Sequence, residues 1–359
     1  MKHKLKTALL VGALLGVGMQ APVAAATTKK SEQQTAKKVA AKSTHKAQHA
    51  AKSSGKHAAK SAAKAPLTKN AAAPSRHAGK LAAAHSAKPV AKPIRHASMM
   101  EMDPTRLGLY SASALVIDQS TGQAMLEKQP DLVVPIASIS KLMTAMVVLD
   151  AKLDLQEVVT IGDADVDGLK GTRSRLPVGT TMTREAAMLL ALMSSENRAA
   201  HSLGRHYPGG LPAFVQAMNK KAQALGMYNS RFEEPTGLSS NNVSTAHDLA
   251  RMVAAAARYP EIRQYSTTAE AKVELNGRIR DFHNTNALVR NDNWEIGVSK
   301  TGYISEAGRC LVMQARVADK PVVIVLLDSN GKMTRVGDAN RIKRWMESAG
   351  LGMGSRRPA

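Results

Sequence analysis

The chain has 359 residues, 44% of them apolar and only 3% aromatic, with 50 lysines and arginines against 28 acids for a net charge of +22. That length accommodates two ordinary domains and a large core, and the single cysteine, Cys310, excludes an intramolecular disulfide. The charge excludes a uniformly basic protein: residues 27–98 hold fourteen lysines and two arginines against one acid, Glu32, a net of +15, and only about +4 remains from Met99 onward.

Residues 1–26, MKHKLKTALLVGALLGVGMQAPVAAA, run from three lysines through an apolar stretch, Ala8 to Met19, into small residues ending at Ala26. That order predicts a signal peptide cleaved near Ala25 or Ala26, and with it a periplasmic protein. The apolar stretch is too short to cross a hydrocarbon core of ~30 Å comfortably. Residues 27–98 reduce to Lys, Ala, His, Ser and Pro without an aromatic residue, so they cannot bury enough apolar surface to offset their ordering entropy. They are predicted to be a disordered basic linker, roughly 45–50 Å end to end as a flexible coil. Outside the cytoplasm the polyanions within its reach are envelope polymers and lipid head groups, so these rather than nucleic acid are its expected partners; the alternative is a solvated tether with no specific partner. Six of the eleven histidines lie here without metal-ligand spacing, so no metal site is expected.

The folded region is expected over residues 99–350, with 351–359 a short tail that offers no amphipathic anchor. SASALVIDQ and GQAMLEKQ, joined by STG, read as a β-hairpin. PIASISKLMTAMVVLD then opens an apolar helix near Ser138. From about 159 to 289 the pattern is mostly helical: TREAAMLLALM and NRAAHSLGRHY flank a short SSEN link, and Thr245 and Asp248 have capping-box spacing before DLARMVAAAARY. Met143, Met146, Met188 and Met193 fall at helical spacing and are predicted core. Strands return in EIGVSKTGYI, RCLVMQARVA and PVVIVLLD, the last too apolar to face water on either side, and a final helix is expected to end at Gly350. Cys310, on one of these strands, is expected to be an inert buried thiol. Strands at both ends with helices between them predict an α+β fold: an antiparallel sheet flanked by helices, with an inserted, mostly helical subdomain and a cleft between the two.

Ser138 and Lys141 are i and i+3, neighbours on one helix face. A serine becomes a nucleophile when a base takes its proton, and lysine serves as that base once its pKa is lowered. Position at a helix N-terminus disfavours the ammonium and supplies free N–H groups for an oxyanion. Alone this spacing is an N-cap serine with a surface lysine. Its company changes that: Ser195-Glu196-Asn197 lies between two helices, and Lys300-Thr301-Gly302 lies on a strand. Ser195 can relay a proton between Lys141 and a leaving amine, and the Asn197 amide can hold both Lys141 and a substrate carbonyl. Lys300 brings a second positive charge, expected to depress Lys141 and to attract a carboxylate, to which Thr301 offers a hydroxyl. Gly302 is expected to let the substrate backbone lie close to the strand edge. The histidines His201, His206, His247 and His283 have no ligand-like spacing and no assigned role.

Ser-x-x-Lys, Ser-x-Asn and Lys-Thr-Gly in this order are the set carried by penicillin-interacting serine acyltransferases. From about Leu107 to Met346 the chain resembles the low-molecular-mass penicillin-binding proteins that act as D-alanyl-D-alanine peptidases, and within them the endopeptidases. PIASISKLMTA, LMSSENRAA, EEPTGLSSNNVSTAHDLARM, HNTNALV and SKTGYISEAGRCLV carry the resemblance. It departs in Ser-Glu-Asn where Ser-Asp-Asn is common, and in the basic linker. The resemblance implies a penicillin-binding transpeptidase/β-lactamase-like fold and no cofactor. It implies that Ser138 attacks a peptide carbonyl in peptidoglycan and forms an acyl-enzyme, that the N–H groups of Ser138 and Tyr303 hold the oxyanion, and that β-lactams acylate Ser138. The alternatives are a carboxypeptidase that trims terminal D-alanine, a class A-type β-lactamase using Glu233 or Glu234 for deacylation, and an envelope-binding protein in which the basic segment is the working part.

Overall fold

A computed structural model describes residue 103 and residues 106–354, the side chains of 350–354 excepted. The expected signal peptide and basic linker lie outside the described residues. The first strands, β1 (Ser111–Asp118) and β2 (Ala124–Lys128), form the expected antiparallel hairpin. β3 (Val134–Pro135) leads through a 3-10 turn, Ala137–Ile139, into α1 (Ser140–Asp150). The short strands β4 (Val158–Thr160) and β5 (Thr181–Thr183) pair ahead of α2 (Arg184–Met193), α3 (Asn197–Arg205) and α4 (Gly210–Ala224). β6 (Val243–Ser244) pairs with β3 and is followed by α5 (Ala246–Ala256) and α6 (Pro260–Thr267). The hairpin of β7 (Glu270–Leu275) and β8 (Arg278–His283) precedes β9 (Glu295–Ile304), β10 (Gly308–Val317), β11 (Lys320–Ser329) and α7 (Thr334–Gly354).

β1, β2, β9, β10 and β11 make one antiparallel sheet in the order β2-β1-β11-β10-β9, so the first strand pairs with the last and β9 is left at an edge. The two-sided apolarity of β11 has its cause in two cores. Val323, Val325 and Leu327 pack with the helical layer, while Val322, Ile324 and Leu326 pack with Ala339, Ile342, Trp345 and Met346 of α7. α1 is buried almost all round, Ser140 to Val148 without a break, as befits a helix enclosed by α2 to α6. The four methionines predicted as core are all fully buried. Truncating a buried leucine such as Leu142 to alanine here would cost about 2–5 kcal/mol.

Three local features differ from the sequence-based expectation. The β7–β8 hairpin lies inside the stretch read as mostly helical. α7 continues past Gly350 to Gly354. The Thr245 side chain accepts from the Asp248 N–H at 3.2 Å, but the Asp248 carboxylate does not reach back to complete a box. It binds the Asn229 N–H, the Ser230 hydroxyl and Arg251, tying the preceding loop to α5.

Candidate active site

Ser138 sits in the 3-10 turn and Lys141 in the first turn of α1, which begins at Ser140, two residues later than the helix start expected near Ser138. Side chains at i and i+3 eclipse across a 3-10 turn, and Lys141 Nζ lies 2.8 Å from Ser138 Oγ. The turn is held in an unusual conformation: Ala137 has φ +49°, and Ser140 Oγ donates to its carbonyl at 2.9 Å. Gly237, at φ +80°, presses against that same carbonyl so closely that a Cβ would lie 1.8 Å from it.

Lys141 is fully buried, and Nζ has three partners: Ser138 Oγ at 2.8 Å, Asn197 Oδ1 at 2.7 Å and the Thr236 carbonyl at 2.7 Å. Asp167 Oδ2 accepts from Thr172 Oγ1 at 2.6 Å, Thr172 Oγ1 accepts from Asn197 Nδ2 at 3.0 Å, and this fixes Asn197 Oδ1 toward the lysine. Two of the three partners are therefore obligate acceptors. A neutral amine spends its two N–H groups on them and turns its lone pair to the Ser138 hydroxyl. Burial lowers the Lys141 pKa to about 7, against the opposing pull of Glu234 and then Glu196. Lys300 was expected to be the depressing charge on Lys141. Burial does that work instead, and the clearer charge effect runs the other way: Lys300 is pushed well below the ordinary lysine value by burial, then by the positive charges of Lys141 and Arg335.

The turn from Glu233 to Asn242 forms the floor of the site. Glu234 Oε2 accepts from the Thr236 N–H at 2.6 Å and the Thr236 hydroxyl at 2.5 Å, and Oε1 from the N–H groups of Gly237 at 2.6 Å and Ser239 at 3.2 Å. Asn242 joins this turn to the nucleophile: Nδ2 donates to Ser140 Oγ at 3.0 Å, and the Asn242 carbonyl accepts the Ile136 N–H at 3.0 Å. Glu233 is engaged by Ser239, Asn241 and Arg231. Both glutamates considered for a β-lactamase deacylation base are thus occupied in building the turn.

The opposite wall is β9. Ser195, at φ +61° between α2 and α3, accepts from Lys300 Nζ at 2.8 Å. The expected Lys141–Ser195 relay is not preassembled, because the three contacts of Lys141 are taken and the Ser195 hydroxyl is held by the other lysine. Thr301 Oγ1 lies 2.6 Å from Thr285 Oγ1. Ser299 donates its N–H away from β10 to Ser266 Oγ, and the Thr301 carbonyl also faces outward, to Lys300 Nζ at 2.9 Å. With a strand period of two, the Tyr303 N–H points to the same open edge, where Ser138 stands. Gly302 was expected to make room for substrate. Its missing side chain makes room for the nucleophile's own turn: a Cβ would lie 2.9 Å from the Ile136 carbonyl and 3.1 Å from Ser138 N.

Ser138, Ser195, Asn197, Thr301, Gly302 and Tyr303 line one cleft of about 260 Å³, with Lys141 and Lys300 buried beneath it. Thr285 and Arg335 line it too, and the sequence reading gave neither a role. Arg335, in the first turn of α7, donates to the Gly302 carbonyl at 2.9 Å and the Cys310 carbonyl at 3.2 Å, and burial lowers its pKa. Glu234, Thr236, Asn242 and Thr172 were also missed as supports of Lys141. Cys310 is fully buried, its thiol pushed up to about 11 by burial, and it takes no part in the cleft. The histidines without assigned roles are held locally, His201 by Asp165 and His247 by Asp131. Among the described residues no His, Cys, Asp and Glu cluster could hold a metal ion, and no helix is long and apolar enough to cross a membrane.

Residues 100–331 match the family model described as D-alanyl-D-alanine carboxypeptidase. Over 247 residues the chain is 53% identical to a D-alanyl-D-alanine endopeptidase of Pseudomonas aeruginosa, covering 68% of this chain and 80% of that one. It is 50% identical over 242 residues to the D-alanyl-D-alanine endopeptidase of Escherichia coli, covering 67% and 78%. Among solved structures it is similar to a Streptomyces DD-transpeptidase, with a TM-score of 0.62 at 27% identity over 68% of this chain and 98% of that one. A D-alanyl-D-alanine carboxypeptidase from Mycobacterium tuberculosis gives a TM-score of 0.60 at 27% identity over 66% and 90%. With the family model matched over residues 100–331 and relatives at 53% and 50% identity, the chain belongs to the D-alanyl-D-alanine carboxypeptidase family of serine peptidases.

Proposed function

We propose that the chain hydrolyses D-alanyl cross-links of peptidoglycan through an acyl-enzyme on Ser138, and that β-lactams acylate the same serine. One observation carries this reading: the lysine beside Ser138 is buried, its pKa is lowered to about 7, and two of its three contacts are carbonyl oxygens, so its lone pair has the serine hydroxyl as target. Ser138 Oγ attacks the carbonyl carbon of the D-alanyl residue while its proton passes to Lys141 Nζ. The N–H groups of Ser138 and Tyr303 meet the charge that develops on the carbonyl oxygen. The C–N bond breaks, a proton reaches the leaving amine from Lys141 or through Ser195, and the acyl group remains as an ester. Water then gives a proton to Lys141, attacks the ester carbon, and the proton returns to Ser138 Oγ. Lys300, Thr301 and Arg335 receive the carboxylate next to the scissile nitrogen, and neither step calls on a metal or an organic cofactor.

The 53% and 50% identity to chains named endopeptidases favours cross-link cleavage, while the family description favours a second reading, trimming of terminal D-alanine. The chain is a cell-wall peptidase that acts outside the cytoplasm. The finer reading is a periplasmic enzyme exported by cleavage of residues 1–26, with a peptidase domain at 99–350, and a basic linker at 27–98 that keeps it near anionic envelope polymers or lipid head groups. The test gives the purified chain and Ser138→Ala a cross-linked muropeptide dimer and a pentapeptide monomer, and follows products by mass. Dimer split to monomers by the parent only is the expected result. Loss of one alanine from the pentapeptide with the dimer intact would replace the endopeptidase reading by the carboxypeptidase one.

A further inference from the structure

β9, β10 and α7 bring three cations to this side of the cleft: Lys300 beneath it, Arg335 on its lining, and Arg309 just outside it, over the Tyr303 ring that lines its mouth. Among the described residues none of them has a carboxylate at ion-pair distance. Lys300 bonds the Ser195 hydroxyl and the Thr301 carbonyl, and Arg335 bonds the carbonyls of Gly302 and Cys310. Of the nearby acids, Glu306 on the β9–β10 turn is taken by Lys170 from the facing loop, and Asp328 on β11 lies against Gly308 without forming an ion pair with Arg309 or Arg335. The cations act on one another: Arg335 helps to lower Lys300, and Arg309 helps to lower Arg335. Clustered like charges cost stability, and an anionic ligand offsets that cost.

Arg309 is the outermost of the three. It stands opposite Tyr303 in the β9–β10 register, one pair beyond the Gly302–Cys310 pair whose carbonyls hold Arg335. Its guanidinium lies over the Tyr303 ring, 4.6 Å from the centroid, and the ring is 56% exposed at the cleft mouth. The ring holds the guanidinium in place, and among the described residues its N–H groups make no hydrogen bond or ion pair, which leaves them open to an oxygen pair. From Thr301 to Tyr303 is two residues of strand, roughly 7 Å.

We propose that Arg309, stacked on Tyr303, is a specificity-determining residue that binds a second carboxylate of the leaving-group peptide, beyond the carboxylate met by Lys300, Thr301 and Arg335. This rests on the cross-link reading above. When a cross-link is cut, the leaving amine belongs to an entire acidic stem peptide; when a terminal D-alanine is trimmed, the leaving group carries one carboxylate only. A receptor of two successive anion sites suits the first substrate and is half empty with the second.

The test compares the full chain with Arg309→Gln and Arg309→Lys on three probes: a muropeptide dimer, the same dimer with its acceptor-stem carboxylates amidated, and benzylpenicillin. Arg309→Gln is expected to lower kcat/KM on the free dimer about tenfold, chiefly through KM, with the rate of penicillin acylation unchanged. Arg309→Lys is expected to recover part of the loss. On the amidated dimer parent and Arg309→Gln are expected to be equally slow. Undiminished dimer cleavage by Arg309→Gln would overturn the inference, and so would an equal loss on penicillin, which would mean a merely structural role. Failure of the parent itself to cleave any dimer while penicillin still acylates it would overturn the cross-link reading, and this inference with it.

Discussion

Lys141 and Lys300 face the same cleft from opposite walls, both are buried, and both have lowered pKa values, yet their surroundings differ in sign. Lys141, on α1, has two carboxylates acting on it, Glu234 and Glu196, and two carbonyl acceptors that orient its amine toward Ser138. Lys300, on β9, has other cations around it and a hydroxyl and a carbonyl as partners. Burial alone therefore does not assign a role to a lysine. The first is set up to exchange a proton, the second to await an anion.

The sharpest way to break this contrast is to remove each amine in turn. Lys141→Met is expected to slow acylation of Ser138 about a thousandfold, read as the rate of covalent labelling by benzylpenicillin. Gly237→Ala comes next. A Cβ at φ +80° and 1.8 Å from the Ala137 carbonyl must displace the nucleophile's turn. A destabilisation of about 3 kcal/mol or more is expected in urea unfolding, together with lost labelling. Lys300→Met is expected to cost about a hundredfold in kcat/KM. Unlike the loss at Lys141, this one should shrink for substrates whose carboxylate is esterified. The smallest effect belongs to Lys170→Ala, which breaks the half-exposed pair with Glu306. Its expected cost is about 1 kcal/mol or less, seen as a small drop in Tm.

The two walls were also unequally legible in the sequence. Ser138, Lys141, Ser195, Asn197 and Lys300 announce themselves by spacing, because a helix turn and a strand set their relative positions locally, and the structure gathers them in one cleft. The supports of Lys141 do not. Thr236 contributes a main-chain carbonyl, which any residue has, and Glu234 contributes a turn built from backbone N–H groups ninety-odd positions from the lysine. Arg335 lies in a helix whose sequence pattern speaks only of packing against the sheet. The α+β layout followed from strands at both ends of the region, and the two-sided apolarity of β11 foretold its burial. The β7–β8 hairpin had a signal that went unused: Asn276 and Gly277 take φ +52° and +72°, the left-handed pair that an Asn-Gly turn adopts between alternating strands.

The central claim is that Lys141 is a neutral base in the resting enzyme. The measurement that tests it most directly is the pH dependence of the acylation rate of Ser138 by benzylpenicillin, from pH 5.5 to 10. Below its lowered pKa Lys141 is an ammonium and cannot accept the serine proton, and above it the lone pair is free. The rate is therefore predicted to rise through about 7 and then level off. A rate that stayed flat from pH 6 to 10, or that rose only near the ordinary lysine value, would contradict the account.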